Sequence, residues 1–279
     1  MRVIGRVLFA LAVAALGVEL FIWAAIGNPH APEIQRMPFS PIMPFVPLPG
    51  GTPYLEYLAG IALLPAGLCM LFNHRARLAA IFTGVFFLIC TLLLELPRVI
   101  STPLDVSIRT IFFESLSFAA IALTLAGLLP VERPNHPLIE KLIQQGPWLF
   151  AISSIVFGVD HFLIIPFIAS LVPTWIPGAT FLSWFTGAAF IATGLAILLR
   201  RLDAQASFWL GIMFLIWVLV LHGPRAFSAE RIHNPDEWSS AFIALAMCGG
   251  SWILALHAQK RGARQPSAAS EPQTAALIP

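Results

Sequence analysis

The chain has 279 residues, of which 58% are hydrophobic and 11% charged, and its mean hydropathy is +0.84. So few charges cannot cover a water-soluble globule of this size, which excludes that class and requires lipid. The net charge of +2, with no basic run or aromatic-interleaved patch, gives no basis for binding nucleic acid. Cys69, Cys90 and Cys248 each sit in an apolar stretch without a CxxC pair, so dithiol chemistry by this chain alone is not expected.

A spanning helix needs about 20 mostly apolar residues. Eight stretches qualify, at about 3 to 27, 54 to 73, 77 to 96, 107 to 129, 148 to 171, 181 to 199, 204 to 222 and 237 to 257. Arg2 and Arg6 precede the first as they would in a signal peptide. The stretch nevertheless runs past 20 residues, carries Glu19 and lacks a small-x-small cleavage site, so it reads as a retained span. The loop at about 28 to 53 holds eight prolines and is expected to be extended and semi-rigid. Residues 130 to 147, with Pro130, Pro134 and Pro137, read as a connector, and the polar, Ala/Ser/Pro-rich tail from Lys260 as disordered.

Lys and Arg fall unevenly on the two sides of such a bundle. Eleven, including Arg2, Arg6, Arg75, Arg77, Arg200, Arg201, Lys260 and Arg261, lie on the side of the termini, against Arg36, Arg98, Arg109, Arg225 and Arg231 on the other. The positive-inside rule then places both termini in the cytoplasm of a multi-pass cell-membrane protein. Ten of the fourteen acids lean toward the outer half, where polar chemistry is expected.

Self-similarity is marked. An offset of 127 aligns Gly60 with Gly187, Gly67 with Gly194, Gly84 with Gly211, and Pro97-Arg98 with Pro224-Arg225. Upstream, an offset of 141 aligns Gly17-Val18-Glu19-Leu20-Phe21 with Gly158-Val159-Asp160-His161-Phe162, the first half carrying the longer loop. The expectation is an all-α polytopic membrane protein of eight helices, as two tandem four-helix repeats at 1–133 and 134–259 with a cytoplasmic tail at 260–279. Repeats of equal topology are related by a pseudo-two-fold axis along the membrane normal, which brings equivalent residues to one depth.

Ionisable side chains in a bilayer cost several kcal/mol, roughly 2.5 or more, so each is a site candidate. Glu19 and Asp160 fall about 24 Å and about 20 Å along their expected helices at 1.5 Å per residue. His161 beside Asp160 reads as a ligand, a proton carrier or a satisfied structural histidine. Glu95-Leu96-Pro97-Arg98 matches His222-Gly223-Pro224-Arg225 at the ends of spans three and seven. There the proline is expected to end the helix. Each arginine then either bonds the freed carbonyls or donates to an anionic headgroup, a quinone carbonyl, Glu19 or Asp160. Asn234-Pro235-Asp236-Glu237 reads as an N-cap, a proline at the first helical position and a capping-box glutamate, with Glu114 its approximate counterpart. Metal-ligand spacings such as HxxxH or ExxH do not occur, and no metal centre is expected.

Glu56-Tyr57-Leu58-Ala59-Gly60, Gly67-Leu68 and Arg77-Leu78-Ala79-Ala80 in the first half resemble the DoxX family of four-helix membrane proteins. The second half resembles DoxX-like members through Phe157 to Phe162, Val172-Pro173-Thr174-Trp175-Ile176-Pro177 and His222 to Arg225, with Ser183 where the first half has Glu56. The resemblance implies a membrane subunit of quinone-linked redox enzymes, with a quinone as ligand, the bilayer and a redox protein as partners, and much of the activity supplied by those partners. A small-solute or proton transporter and a non-catalytic assembly scaffold are the alternatives. The candidate ligand-binding or proton-handling residues are Glu19, Glu56, Glu95, Arg98, Asp160, His161, His222, Arg225 and Glu237.

Overall fold

The computed structural model describes residues 2–26, 54–131, 134–228 and 235–263. The proline-rich loop, the Asn234 cap and the tail beyond residue 263 lie outside the described residues. Within them the chain is helical and contains no strand. The helices are α1 (Arg2–Ile26), α2 (Tyr54–Leu71), α3 (Ala76–Ser101), α4 (Val106–Leu128), α5 (Pro137–Leu163), α6 (Ile165–Leu171), α7 (Ala179–Leu199), α8 (Asp203–Ala226) and α9 (Pro235–Ala263). All but α2 and the seven-residue α6 are long and apolar enough to cross a membrane, which makes seven such helices among the described residues.

Several bounds differ from the sequence expectation, each for a local reason. Helix α5 starts inside the expected connector, at Pro137. Proline suits a first turn because its missing N–H has no helical partner there, and His136 accepts from Leu138 N–H through Nδ1 as a cap. Beyond it Pro147 is absorbed inside the helix. At the other end α5 stops at Leu163, and Ile164 bends the chain into α6, with Pro166 in its first turn. The first four tail residues, 260–263, continue α9.

Helices α4 and α9 form the interior. Their most apolar stretches are 78% and 72% buried, against 22% for α8. Small side chains explain the close packing there, with Ala119, Ala120, Ala122 and Ala126 on α4 and Ala246, Ser251 and Ala255 on α9 all at or near zero exposure. Around this pair α1 packs on α2 and α9, α5 on α7 and α4, α3 on α4, and α8 on α9. Large apolar side chains such as Leu93, Phe181, Trp209 and Leu219 point outward, as lipid-facing residues do.

Close approaches recur at fixed spacings. A Cβ on Gly17 would sit 2.5 Å from Leu64 N, and one on Gly158 3.0 Å from Ile191 N, positions shifted by 141 and 127. Gly5 abuts Gly249 O at 2.9 Å and Ile253, while Gly146 abuts Ala120 O at 2.7 Å and Thr124, so that α4 and α9 correspond at an offset of 129. That offset sets Ile243 opposite Glu114 and Ile108 opposite Glu237.

Charge is confined to the two ends of the bundle. At one end Arg77 donates to Glu140 at 2.7 Å and to the last carbonyls of α4, those of Ala126 and Leu129, while Arg261 pairs with Asp203. Such carbonyls have no helical partner of their own, and a guanidinium satisfies them. The opposite end holds the acids discussed next.

Candidate functional site

Two local windings shape this end. Thr91–Glu95 in α3 and Val218–His222 in α8 each form a π turn, with Leu96 N–H donating to Thr91 O and Gly223 N–H to Val218 O. Pro97 and Pro224 follow directly. In an unbroken α-helix each ring would press on the carbonyl four residues back and leave it without a donor. The wider turn removes that conflict, so both helices continue past their prolines to Ser101 and Ala226 instead of ending there. Turns of this kind concentrate at functional sites, and these two place Glu95 at zero exposure and His222 on the wall of a cavity.

The cavity, about 430 Å³, lies among α4 to α9. Its body is apolar and aromatic, built from Phe157, Phe190, Phe214, Leu182, Ile243 and Met247, with Ile164, Ile168 and Val172 contributed by α6 and the residues flanking it. Polar groups from four helices converge on it: Thr110 and Glu114 from α4, Asp160 and His161 from α5, His222 and Arg225 from α8, and Glu237 and Ser240 from α9. Concave apolar walls with a few convergent polar groups are the usual form of a small-molecule site.

Two ion pairs hold these groups. Arg109 Nε donates to Asp160 Oδ1 at 2.9 Å and Oδ2 at 3.2 Å, Nη2 also donates to Oδ1, and Nη1 takes the Pro103 carbonyl at 2.9 Å. Arg225 grips Glu237 with both arms of its fork, Nε to Oε2 at 2.8 Å and Nη2 to Oε1 at 2.7 Å. Planar bidentate pairs of this geometry are among the strongest side-chain contacts. In the first half Arg98 donates to Glu95 at 3.1 Å. All three arginines at this end are therefore matched to carboxylates, and neither Arg98 nor Arg225 donates to Glu19 or Asp160.

His161 is turned by the backbone. Its Nδ1 lies 2.8 Å from Phe157 O, a carbonyl that can only accept, so Nδ1 carries the hydrogen and the neutral ring keeps Nε2 as an acceptor. The ring also packs on Phe190 at 5.2 Å. Across the lining, Trp217 Nε1 is buried with no hydrogen-bond partner among the described residues. An unsatisfied donor of this kind costs about 1–3 kcal/mol unless something binds it.

Five of the nine candidate residues, Asp160, His161, His222, Arg225 and Glu237, thus meet at one cavity, and Glu19, Glu56, Glu95 and Arg98 are not in its lining. Glu19 accepts from Ser239 Oγ of α9 instead. The sequence reading did not single out Arg109, Thr110 or Trp217. Arg109 was the detectable one, as an arginine within an apolar span. Compared with family models, curated proteins and solved structures, the chain matches none.

Proposed function

We propose that this chain is a tandem DoxX-like membrane module of eight spans, whose second-half cavity binds the ring of a quinone on behalf of a redox partner. The observation that carries this reading is the pairing of a free indole donor, Trp217 Nε1, with a histidine acceptor across an aromatic-walled cavity of about 430 Å³. A neutral ring bearing carbonyl or hydroxyl oxygens fits such walls. An anion does not, because every arginine at this end is already neutralised by a carboxylate.

Several features support the repeat. The π turns at Thr91–Glu95 and Val218–His222 are 127 residues apart. The glycine contacts of α1 with α2 and of α5 with α7 recur, as do those of α1 with α9 and of α5 with α4. Helix α2, with 18 residues, is about 27 Å long, close to the roughly 30 Å of hydrocarbon, and is taken as the eighth span. The eleven-to-five cation bias sets the Arg77 and Arg261 end in the cytoplasm and the cavity toward the outer face of the cell membrane.

The test is direct. Protein purified in mild detergent is extracted, and retained quinone is identified by mass spectrometry and scored per mole of chain. Saturable rebinding is then followed by quenching of tryptophan fluorescence. Co-purifying quinone, with quenching weakened by Trp217→Phe, supports the reading. Absence of both retention and saturable quenching sinks it, and uptake of a polar solute into vesicles would favour a transporter.

A further inference from the structure

The charge balance around the cavity leaves one acid over. Arg109 is committed to Asp160, Arg225 to Glu237 and Arg98 to Glu95. Glu114, on the cavity wall one turn beyond Arg109, has neither a hydrogen bond nor an ion pair among the described residues. The titratable and charged groups facing it are Asp160 and His161 from α5, His222 and Arg225 from α8, Glu237 from α9 and Glu95 from the turn in α3 against which α4 packs. The two arginines among these and on its own helix are matched to other carboxylates, and both histidines lie in an apolar lining.

An ionised carboxylate without a partner in such surroundings costs several kcal/mol even after relaxation, whereas a proton removes the charge altogether. We infer that Glu114 holds a proton in the empty cavity and is the group through which the site exchanges protons with its ligand. The inference rests on the cavity being a ligand site and deepens that reading by making occupancy proton-coupled. As an acid, Glu114 donates to a ligand oxygen alongside Trp217 Nε1. Once it loses the proton, its carboxylate opposes an acceptor oxygen and favours a hydroxyl in the same place. The site can therefore tell a carbonyl oxygen from a hydroxyl through the state of one side chain.

Two measurements test this, one of them independent of any ligand. Infrared spectra of the protein in lipid vesicles are expected to show a protonated-carboxyl C=O band that shifts in heavy water, because the cavity exchanges with solvent, and that disappears in Glu114→Gln. If the band survives the substitution, or is missing in the wild type, the inference fails whether or not quinone binds. The second measurement is binding of a short-chain ubiquinone analogue across pH. Wild-type affinity is expected to be level at low pH and to fall about tenfold per pH unit above the titration of Glu114. Glu114→Gln flattens the profile and Glu114→Asp restores it. A profile unchanged by Glu114→Gln overturns proton coupling at this residue. Complete absence of binding with the infrared band present removes the quinone and leaves the proton site standing.

Discussion

Arg109 of α4 and Asp160 of α5 meet across the boundary between the two halves of the chain, the guanidinium Nε donating to both carboxylate oxygens at 2.9 and 3.2 Å. Glu19 of α1 makes the reciprocal reach, accepting from Ser239 of α9. The first helix of each half is thus tied at one end of the bundle to the last helix of the other. Asp160 is 3% exposed, so its charge depends on this one arginine.

Removing only one partner should therefore be costly. Arg109→Leu is expected to lose about 3–5 kcal/mol, because it leaves a buried carboxylate uncompensated, and the double variant Arg109→Leu with Asp160→Leu is expected to recover most of that. Unfolding by a graded detergent series reads both. If the double variant is as unstable as the single, the pair's contribution lies in packing and not in charge.

The acids of the two halves should separate by effect. Asp160→Asn weakens the Arg109 tie at the cavity and is expected to reduce quinone retention, whereas Glu19→Gln lies off the lining and is expected to leave retention unchanged while lowering stability by about 1–3 kcal/mol. Equal loss of quinone in both variants, with folding intact, would move the ligand away from this cavity.

Trp217 gives a cleaner separation of binding from folding. Trp217→Phe keeps the aromatic wall and deletes a donor that is unsatisfied in the free protein, so stability should hold or rise slightly. Affinity for a quinone analogue should fall about 2- to 10-fold, the worth of one hydrogen bond. A stability loss with unchanged affinity would show that the indole N–H finds its partner within the protein.

How far the sequence reaches is plain from particular residues. Long apolar runs fixed the helical class, since only helices and closed barrels satisfy their backbone within lipid. His222 and Arg225 were noticed because a proline and an arginine recur 127 residues apart. The π turns before those prolines were not legible. The same residues can stop a helix or widen it by one, and the outcome depends on what the next turn packs against. Arg109 was visible as a charge within a span, yet its partner lies 51 residues away, a pairing that only the packing of α4 on α5 creates. Glu114 was set opposite Glu237 because the offset along the fourth helix was taken from the third, and the glycine contacts shift it by two residues.

The reciprocal ties lead to a prediction about assembly. Gly5 against Gly249 and Ile253, and Gly146 against Ala120 and Thr124, leave no room for a side chain where α1 meets α9 and α5 meets α4. Both contacts join one half to the other, so the halves form a single bundle whose seams depend on these glycines. Chains 1–133 and 134–279 expressed separately are expected to insert and co-purify, and Gly146→Leu is expected to weaken that association, since overpacking costs about 1–3 kcal/mol. In the intact chain, Arg109→Cys with Asp160→Cys, and Glu19→Cys with Ser239→Cys, should cross-link under mild oxidation. Glu19→Cys with Asp160→Cys should not, because each acid faces the other half's last helix and not its counterpart. Cross-linking of that third pair in place of the first two would overturn the arrangement of the seams. Halves that insert stably yet never associate would refute the single bundle, and with it a cavity to which α4 of the first half contributes Glu114.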